Sequence, residues 1–311
     1  MGISLKRFFY FLFLILPFAR ANASSQGTTA AEFLSVGVGA RAIGMGEAYS
    51  AVADEASALY WNPGALTQIP GGSFTVEHSA YIDSSNYDYA AIGQNFHSWG
   101  SLGVSGQFLS VGSIGQTDEL GNDLGTYKPA DMAVSLGYAH TVLGFSLGVS
   151  GKFIRSTLLT TAKTQTVDVG LLSPAIWHDH LKFALTGSNL GGKLTFDQEG
   201  FSLPQTFRVG TRLKILPSWI ISGDGVKSND NETYFAVGTE KIISWSDDST
   251  VALRAGYNSK TLHDLNDFNG ISMGFGLGYR ALSLDYALAL FGPLGQTNNF
   301  SLSYRWGQNH G

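Results

Sequence analysis

Residues 271–290 of this chain read ISMGFGLGYRALSLDYALAL, and large apolar side chains occupy every second position in each half of the stretch. The positions between them hold serine, glycine, alanine, Arg280 and Asp285. Strict alternation of this kind is typical of β-strands with one apolar face. Each half is also long enough to cross a bilayer as a tilted strand, which takes about 9–11 residues.

The same period of two continues outward from this stretch, from residue 73 to residue 306. It delimits about fourteen candidate strands, an even number of the kind that single-chain outer-membrane barrels have. The predicted strands are 73–81, 86–96, 100–110, 130–140, 144–155, 165–175, 180–189, 204–215, 218–226, 233–243, 249–257, 270–279, 281–291 and 299–306.

Charged residues fall mostly on the side of the pattern opposite the large apolar side chains. They are Lys152, Asp168, Lys182, Arg208, Arg212, Glu240, Arg254, Arg280, Asp285 and Arg305. This phase matters, because a Lys or Arg facing lipid at mid-bilayer costs roughly 2–4 kcal/mol. The remainder of that side is Gly, Ser and Ala, which suits an enclosed lumen better than the wet face of a soluble sandwich. We therefore predict an all-β transmembrane fold, an antiparallel outer-membrane β-barrel over 73–306 in contact with outer-membrane lipid.

The first 23 residues have the pattern of a secretory signal peptide. Lys6 and Arg7 precede an apolar run over 8–18, and Ala21-Asn22-Ala23 fits a cleavage site. The run is too short for a bilayer, which needs about 20 residues, so a retained anchor is the weaker alternative.

Without 1–23 the chain keeps 16 basic and 24 acidic residues, a net charge of −8. This excludes the basic patch of a nucleic-acid partner, and the absence of cysteine excludes disulfides and thiol catalysis.

Short and long connections alternate along the predicted strands, as periplasmic turns and external loops do. The longer ones are notably 111–129, 190–203 and 258–269. With an even strand count, we expect both termini on the periplasmic side. The last strand ends at Trp306, an aromatic that resembles the signal read by the outer-membrane assembly machinery, and a tail over 307–311 follows it.

Residues 29–70 lack the period of two. Thr28 or Thr29 is a candidate cap for a short helix through Leu34, and Asp54 is a candidate cap for a helix over 55–61 that must end before Pro63. Fourteen strands enclose more volume than their own side chains fill. We therefore predict that 24–72 folds inside the lumen as a plug, termed the hatch.

The hatch sequence resembles a known family over about 35 residues. The runs EFLSVGVGARAIGMGEA (32–48) and AVADEASALYWNP (51–63) are similar to the opening of PorV/PorQ-type outer-membrane proteins, relatives of the FadL long-chain fatty-acid transporters. The resemblance implies a fourteen-stranded FadL-like barrel with a hatch and an Asn-Pro-Ala-type motif, here Asn62-Pro63-Gly64-Ala65 with Gly and Ala exchanged. The hatch residues that carry it are Gly37, Gly39, Arg41, Gly44, Met45, Gly46, Asp54, Tyr60, Trp61, Asn62 and Pro63.

Other chemical motifs are weak. Gly37-x-Gly39-x-x-Ala42 resembles a dinucleotide fingerprint but has no preceding strand or βαβ unit. The run 178–180 (HDH) and the acidic run 263–267 fit solvated loops better than metal sites. His78 and His97 lie near strand ends without a motif that ties a serine to them, as a hydrolase would need. We expect no cofactor, no metal and no enzymatic activity.

Three functions remain open at this point. The first is passage or binding of a hydrophobic small molecule, with movement of the hatch opening a path. The second, implied by the resemblance to PorV, is a component of type IX protein secretion that holds or hands over cargo together with secretion-system proteins. The third and weakest is an outer-membrane hydrolase. Tyr60 and Trp61, with Ile43 and Met45, either line the ligand path or simply pack the hatch against the barrel wall.

Overall fold

The structure is a computed structural model, and it describes residues 29–82, 85–196, 198–261, 269–292 and 295–307. The predicted signal peptide 1–23, the first residues of the predicted hatch, the acidic run at 263–267 and most of the tail lie outside these ranges. Within them, no helix combines the length and apolarity needed to cross a membrane.

Fourteen antiparallel strands close into one barrel, as the alternation predicts. Each strand pairs with its neighbours along the chain, and the first pairs with the last, Gly72 opposite Trp306. Two small hairpins stand outside the ring, β4 (Ile114–Thr117) with β5 (Asp123–Tyr127) and β10 (Lys193–Phe196) with β11 (Glu199–Ser202). The barrel strands are β1 (Gly72–Ala80), β2 (Asn86–Asn95), β3 (Ser101–Ser110), β6 (Ala130–Val142), β7 (Phe145–Thr157), β8 (Thr161–Leu172), β9 (Leu181–Leu190), β12 (Thr206–Leu216), β13 (Trp219–Ser228), β14 (Tyr234–Ser244), β15 (Ser249–Asn258), β16 (Ile271–Tyr279), β17 (Leu282–Leu290) and β18 (Gln296–Trp306).

The bulky apolar side chains face outward and the small and charged ones face inward. On β17, Leu284 is 51% exposed, whereas the alternate residues Asp285 and Ala287 are buried. This arrangement places an apolar belt around the barrel, as lipid requires. Arg280 is the exception among the predicted lumenal charges, because it lies in the β16–β17 turn and pairs with exposed Asp248 at 3.3 Å.

The two ends of the barrel differ. The turn end holds Gly71, Trp306 and six connections of two to eight residues, and the loop end holds the other seven. The three long predicted loops lie at the loop end, but four of its connections have five residues or fewer, so the predicted contrast in length is only partial. Two long loops also fold into the hairpins β4–β5 and β10–β11.

The N-terminal segment, residues 29–71, lies inside the ring. Hydrogen bonds or side-chain packing join it to every barrel strand. Its regular elements are short, a 3-10 turn Glu32–Ser35, helices Ala40–Gly44 and Ala58–Trp61, and a 3-10 turn Pro63–Gln68. Such elements have few internal hydrogen bonds, so their shape depends on the surrounding wall.

Candidate functional site

The N-terminal segment runs through the barrel from the loop end to the turn end. At the loop end, the Ala30 amide donates to the Ser202 carbonyl of the β10–β11 hairpin at 2.9 Å. At the turn end, the Asn95 amide donates to the Gly71 carbonyl at 2.7 Å. The even strand count places both ends of the barrel itself at the turn end. Residue 29, however, lies at the loop end, whereas the prediction places both chain termini on the side of the short turns.

Arg41 joins the segment to the barrel wall. Its Nε and Nη2 donate to the two carboxylate oxygens of Glu240 on β14, both at 2.7 Å, and its Nη1 donates to Asp54 at 2.6 Å. Arg41 and Glu240 are both buried. A bidentate, charge-assisted pair of this kind fixes direction as well as distance.

Further charges extend this pair into a chain across the interior. Arg254 on β15 donates to Glu240 and to Asp285, each at 2.7 Å, while Arg305 on β18 donates to Asp54 at 3.1 Å and to Glu55 at 3.2 Å. We call these residues the charge chain. In order, its members are Asp285, Arg254, Glu240, Arg41, Asp54, Arg305 and Glu55.

The role of Asp54 differs from the predicted one. The observed helix begins at Ala58 with Ser57 before it, and Asp54 caps nothing. Burial alone would raise the pKa of the Asp54 carboxyl, but the charges of Arg41 and Arg305 outweigh it and hold that pKa below its ordinary value. Two arginines stabilise a charged aspartate more strongly than one or two backbone amides do, so Asp54 forms ion pairs instead of capping the helix. The second helix ends at Trp61, and Asn62 is extended before Pro63, as predicted.

Paired glycines on the wall admit the backbone of the segment. Gly238 and Gly256 are cross-strand partners on β14 and β15. A Cβ at Gly238 would lie 2.2 Å from the Met45 carbonyl oxygen, and one at Gly256 would lie 2.0 Å from the Gly46 nitrogen. Any side chain at either position would push the segment away from the wall.

A second pair, Gly148 and Gly170 on β7 and β8, receives the Asn62–Gly64 turn. Asn62 accepts from the Gly64 amide at 3.0 Å and donates to the Leu171 carbonyl at 3.2 Å. A Cβ on Gly64 would lie 2.9 Å from two wall carbonyl oxygens. This close approach accounts for glycine at position 64.

A third set, the 93–103–137 glycine row, runs in register across β2, β3 and β6. Apolar side chains of the segment cover it. A Cβ at Gly93 would lie 2.6 Å from Ile69, one at Gly103 would lie 3.0 Å from Leu66, and one at Gly137 would lie 2.3 Å from Leu59. We call Leu59, Leu66 and Ile69 the apolar seal.

Tyr60 and Trp61 pack within the segment. Trp61 Nε1 donates to the Val38 carbonyl at 2.9 Å, and the Tyr60 hydroxyl donates to the Val36 carbonyl at 2.8 Å. The Arg208 guanidinium lies 5.1 Å from the Trp61 ring centroid. Trp61 is only 2% exposed, so these contacts favour the packing role over a ligand-facing one.

A small cavity lies at the loop end, between the segment and strands β15–β18. Val36, Ile43, Ala289 and Phe291 form its apolar lining, and Glu47 and Lys260 are its charged members. Its volume is about 70 Å³. Small-molecule sites usually span roughly 300–1,000 Å³. A ligand would therefore need the segment to move.

A larger groove of about 750 Å³ lies on the outward face, over β7, β8, β9, β12 and β13. Leu147, Val169 and Phe207 line it. The β8–β9 ladder beneath it has only five register pairs and a shift between Val167 and Val169. The wall is thus least regular where the Asn62–Gly64 turn packs behind it.

The other sequence motifs stay apart from this site. The Gly39 amide donates to the Glu77 carboxylate, and an acid in that place would repel the phosphate that a dinucleotide fingerprint holds. His180 bonds to the Lys214 carbonyl, and no cluster of three potential metal ligands occurs among the described residues. His78 pairs with Asp88 on the outer face, at the opposite end of the barrel from His97.

The structure brings most of the hatch residues into one layer of contacts. Arg41 and Asp54 belong to the charge chain, Gly44, Met45 and Gly46 lie on β14–β16, and Asn62 and Pro63 lie on β7–β8. Gly37 abuts the Glu47 carboxylate, and Gly39 has a positive φ of 87°. The partners Glu240, Arg254 and Arg305 appear in the sequence only as inward charges of both signs. The presence of both positive and negative charges on the inward face was the sequence signal that these residues form ion pairs.

These features define a fourteen-stranded antiparallel barrel of the outer-membrane type, with its own N-terminal segment inside. No family model and no curated protein matches the sequence. Among solved structures, the barrel is similar to the CymD monoaromatic hydrocarbon channel, with a TM-score of 0.59 and 11% identity over 88% of this chain and 99% of that one. The toluene transporter TodX of Pseudomonas putida gives 0.55 and 10% over 86% and 96%. A Pseudomonas aeruginosa homologue of FadL gives 0.51 and 11% over 85% and 97%. The fold is therefore that of a FadL-like barrel.

Proposed function

We propose that this protein is a non-enzymatic outer-membrane channel for apolar small molecules, in which residues 29–71 act as a hatch. The observation that carries the proposal is the loop-end cavity beside the segment. Its lining is largely apolar, but its volume of about 70 Å³ is too small for a ligand. A molecule that binds there more tightly when the segment has moved shifts the hatch toward the open form.

The solved relatives support the class of ligand. CymD is described as a monoaromatic hydrocarbon channel and TodX as a toluene transporter. Val36, Ile43 and Phe291 provide a surface suited to an aromatic hydrocarbon. The outward groove over β7–β13 offers the same molecule an apolar place on the membrane side of the wall, at its least regular seam.

Uptake of radiolabelled toluene by cells whose outer membrane lacks other apolar-compound channels tests the proposal. Ala289→Trp fills the cavity from the inner face of β17, and we expect it to reduce uptake to the level without the protein. Leu284→Trp, on the outward face of the same strand, is the matched control and should leave uptake unchanged. Equal uptake with and without the wild-type protein would refute the proposal.

A second candidate is the secretion role implied by the resemblance to PorV/PorQ proteins. The β4–β5 hairpin supports it, because Leu120 at 87% and Leu124 at 56% are exposed at the loop end, on a hairpin outside the barrel ladder. Isolated two-stranded hairpins are marginally stable in water, so a bound protein would stabilise this one.

Replacing 114–127 by a short Gly-Ser linker separates the two candidates. For a secretion component, we expect loss of co-purifying secretion-system proteins or exported cargo, with toluene uptake unaffected. Co-purification that is the same with and without the hairpin would exclude this surface.

A further inference from the structure

Two cations lie directly opposite each other on the outward face of the barrel, near its loop end. Arg155 on β7 and Lys163 on β8 are cross-strand partners, and both side chains are exposed. In the outward rows of their strands, they follow Phe153 and Val167 toward the loop end, and these two apolar residues are 38% and 43% exposed. The pair therefore lies at the loop-end margin of the apolar belt.

Lys193 adds a third cation beside this pair. Gly192 lies against β8, where a Cβ on it would be 2.4 Å from the Gln165 carbonyl oxygen, and Lys193 follows as the first residue of β10. Successive side chains of a strand point to opposite faces, so Lys193 points away from the core that holds Leu194 and is exposed. We call these three residues the cation arc, which consists of Arg155, Lys163 and Lys193.

Among the described residues, the cation arc has no acidic partner. Asp88 on β2 is the one acid at an outward position of the fourteen barrel strands, and it pairs with His78 at 2.7 Å. Like charges directly opposite each other on neighbouring strands destabilise a sheet, and Arg155 and Lys163 are such a pair. An anion bound between them would remove this repulsion. The arc also contrasts with the net charge of −8 that the chain has without its predicted signal peptide.

We propose that the cation arc binds the phosphate groups of lipid A, the anionic glycolipid in the outer leaflet of the outer membrane. The predicted orientation puts the loop end on that side, with the short turns in the periplasm. An arginine fork holds phosphate through two hydrogen bonds, and a lysine beside it acts as a point charge. Phe153 and Val167 face the acyl chains of a lipid bound in this way, whereas a soluble polyanion would leave that apolar surface unused. The site does not depend on passage of apolar molecules through the barrel.

Native mass spectrometry of the full-length protein in neutral detergent tests the site, with bisphosphorylated lipid A as the probe. Each Lys or Arg near an anionic lipid surface strengthens binding about fivefold, so Arg155→Ala/Lys163→Ala should bind the probe roughly 30-fold more weakly. Lys241→Ala is the matched control. Lys241 shares the outward face with its cross-strand partner Trp219 at the turn end, and its removal should leave binding unchanged. Equal binding by the wild type and the double variant would overturn the proposal.

Two further probes separate the lipid from other ligands. Lipid A without its phosphates should bind the wild type no more tightly than it binds the double variant. Inorganic phosphate at millimolar concentration should not displace bound lipid A, because it lacks the acyl chains. Displacement by phosphate alone would make the arc a free-anion site and overturn the assignment, as would equal binding of lipid A with and without its phosphates.

A stability measurement gives an independent readout. Lipid A should raise the temperature at which the wild-type barrel unfolds on heated gels, because a ligand stabilises the form that binds it. In detergent without lipid, Lys163→Gln should unfold no lower than the wild type, since the substitution removes the cross-strand repulsion. Added lipid A should then stabilise Lys163→Gln less than it stabilises Lys241→Gln. A folded Lys163→Gln barrel that gains as much from lipid A as the wild type would contradict the proposal.

Discussion

Replacing Arg41 by alanine is the most direct perturbation of the hold on the N-terminal segment. The change removes three charge-assisted hydrogen bonds of 2.6–2.7 Å and leaves Glu240 and Asp54 to their remaining arginines. Breaking a buried ion pair by removing one partner costs about 3–5 kcal/mol. Because Arg254 still contacts Glu240 and Arg305 still contacts Asp54, we expect a loss near or below the lower limit, about 2–3 kcal/mol.

This magnitude predicts a specific change in hydrogen exchange. The amides of Ile43 and Met45 are bonded within the segment, to Gly39 and Ala42. If they exchange by local opening, a loss of 2–3 kcal/mol speeds them roughly 30- to 150-fold, at about 1.4 kcal/mol per factor of ten. Amides in the ladder between β6 and β7, far from the charge chain, should keep their wild-type rates.

Two control variants show whether the faster exchange comes from the buried Arg41 ion pairs. Arg280→Ala removes another arginine–carboxylate pair, but one exposed in a turn, and should leave every rate unchanged. In the double variant Arg41→Ala/Glu240→Ala, the loss should be smaller than the sum of the two single losses. Unchanged protection of Ile43 in Arg41→Ala would refute the reasoning, and so would equal acceleration throughout the barrel, which would indicate global destabilisation.

Three further predictions follow from the same contacts. Gly170→Val places a Cβ 2.1 Å from Asn62 Oδ1 and should destabilise the protein by about 1–3 kcal/mol in denaturant unfolding, whereas Gly151→Val, which faces open space, should not. The pKa of Asp54 is depressed in the folded protein, so its contribution is complete above the ordinary value of 3.8 and is lost as the pH falls through the lower folded pKa. Proteolysis of the segment should therefore be equal at pH 7 and pH 5 and faster at pH 3, and Asp54→Asn should weaken this dependence. Trp306→Ala removes a ring that covers Gly72 and a 2.9 Å bond to Gln94, so it should lower the temperature at which the barrel unfolds on heated gels, and no change would argue against a closing role for this residue.

The barrel was predictable because its information is local. Alternation over nine or more residues fixes a strand and its outward face, and all fourteen predicted strands appear with ends shifted by only a few residues. The hairpins β4–β5 and β10–β11 were missed, because strands of four or five residues are too short for an alternating pattern to be recognised.

The contacts of the segment were not predictable in the same way. Arg41 and Glu240 are 199 positions apart, and only the register of the closed barrel brings them together. The glycine pairs are equally hidden, because Gly238 and Gly256 become neighbours only when β14 and β15 are aligned. The predicted cap at Asp54 was wrong for a related reason, since a distant arginine outcompeted the local backbone amides.

The distribution of contacts also indicates where a moving hatch would open. Residues 59–71 lie on the 148–170 glycine pair and the 93–103–137 row, and they continue directly into β1 at Gly72, which limits their travel. Residues 29–47 have no such covalent anchor to the wall, although Met45 and Gly46 lie on the 238–256 glycine pair and Phe33, Leu34 and Val38 are buried. The Arg41 ion pairs hold this part by contacts that water can replace. We therefore expect the loop-end half to leave first, which would enlarge the cavity beside Val36 and Ile43 while the apolar seal stays in place.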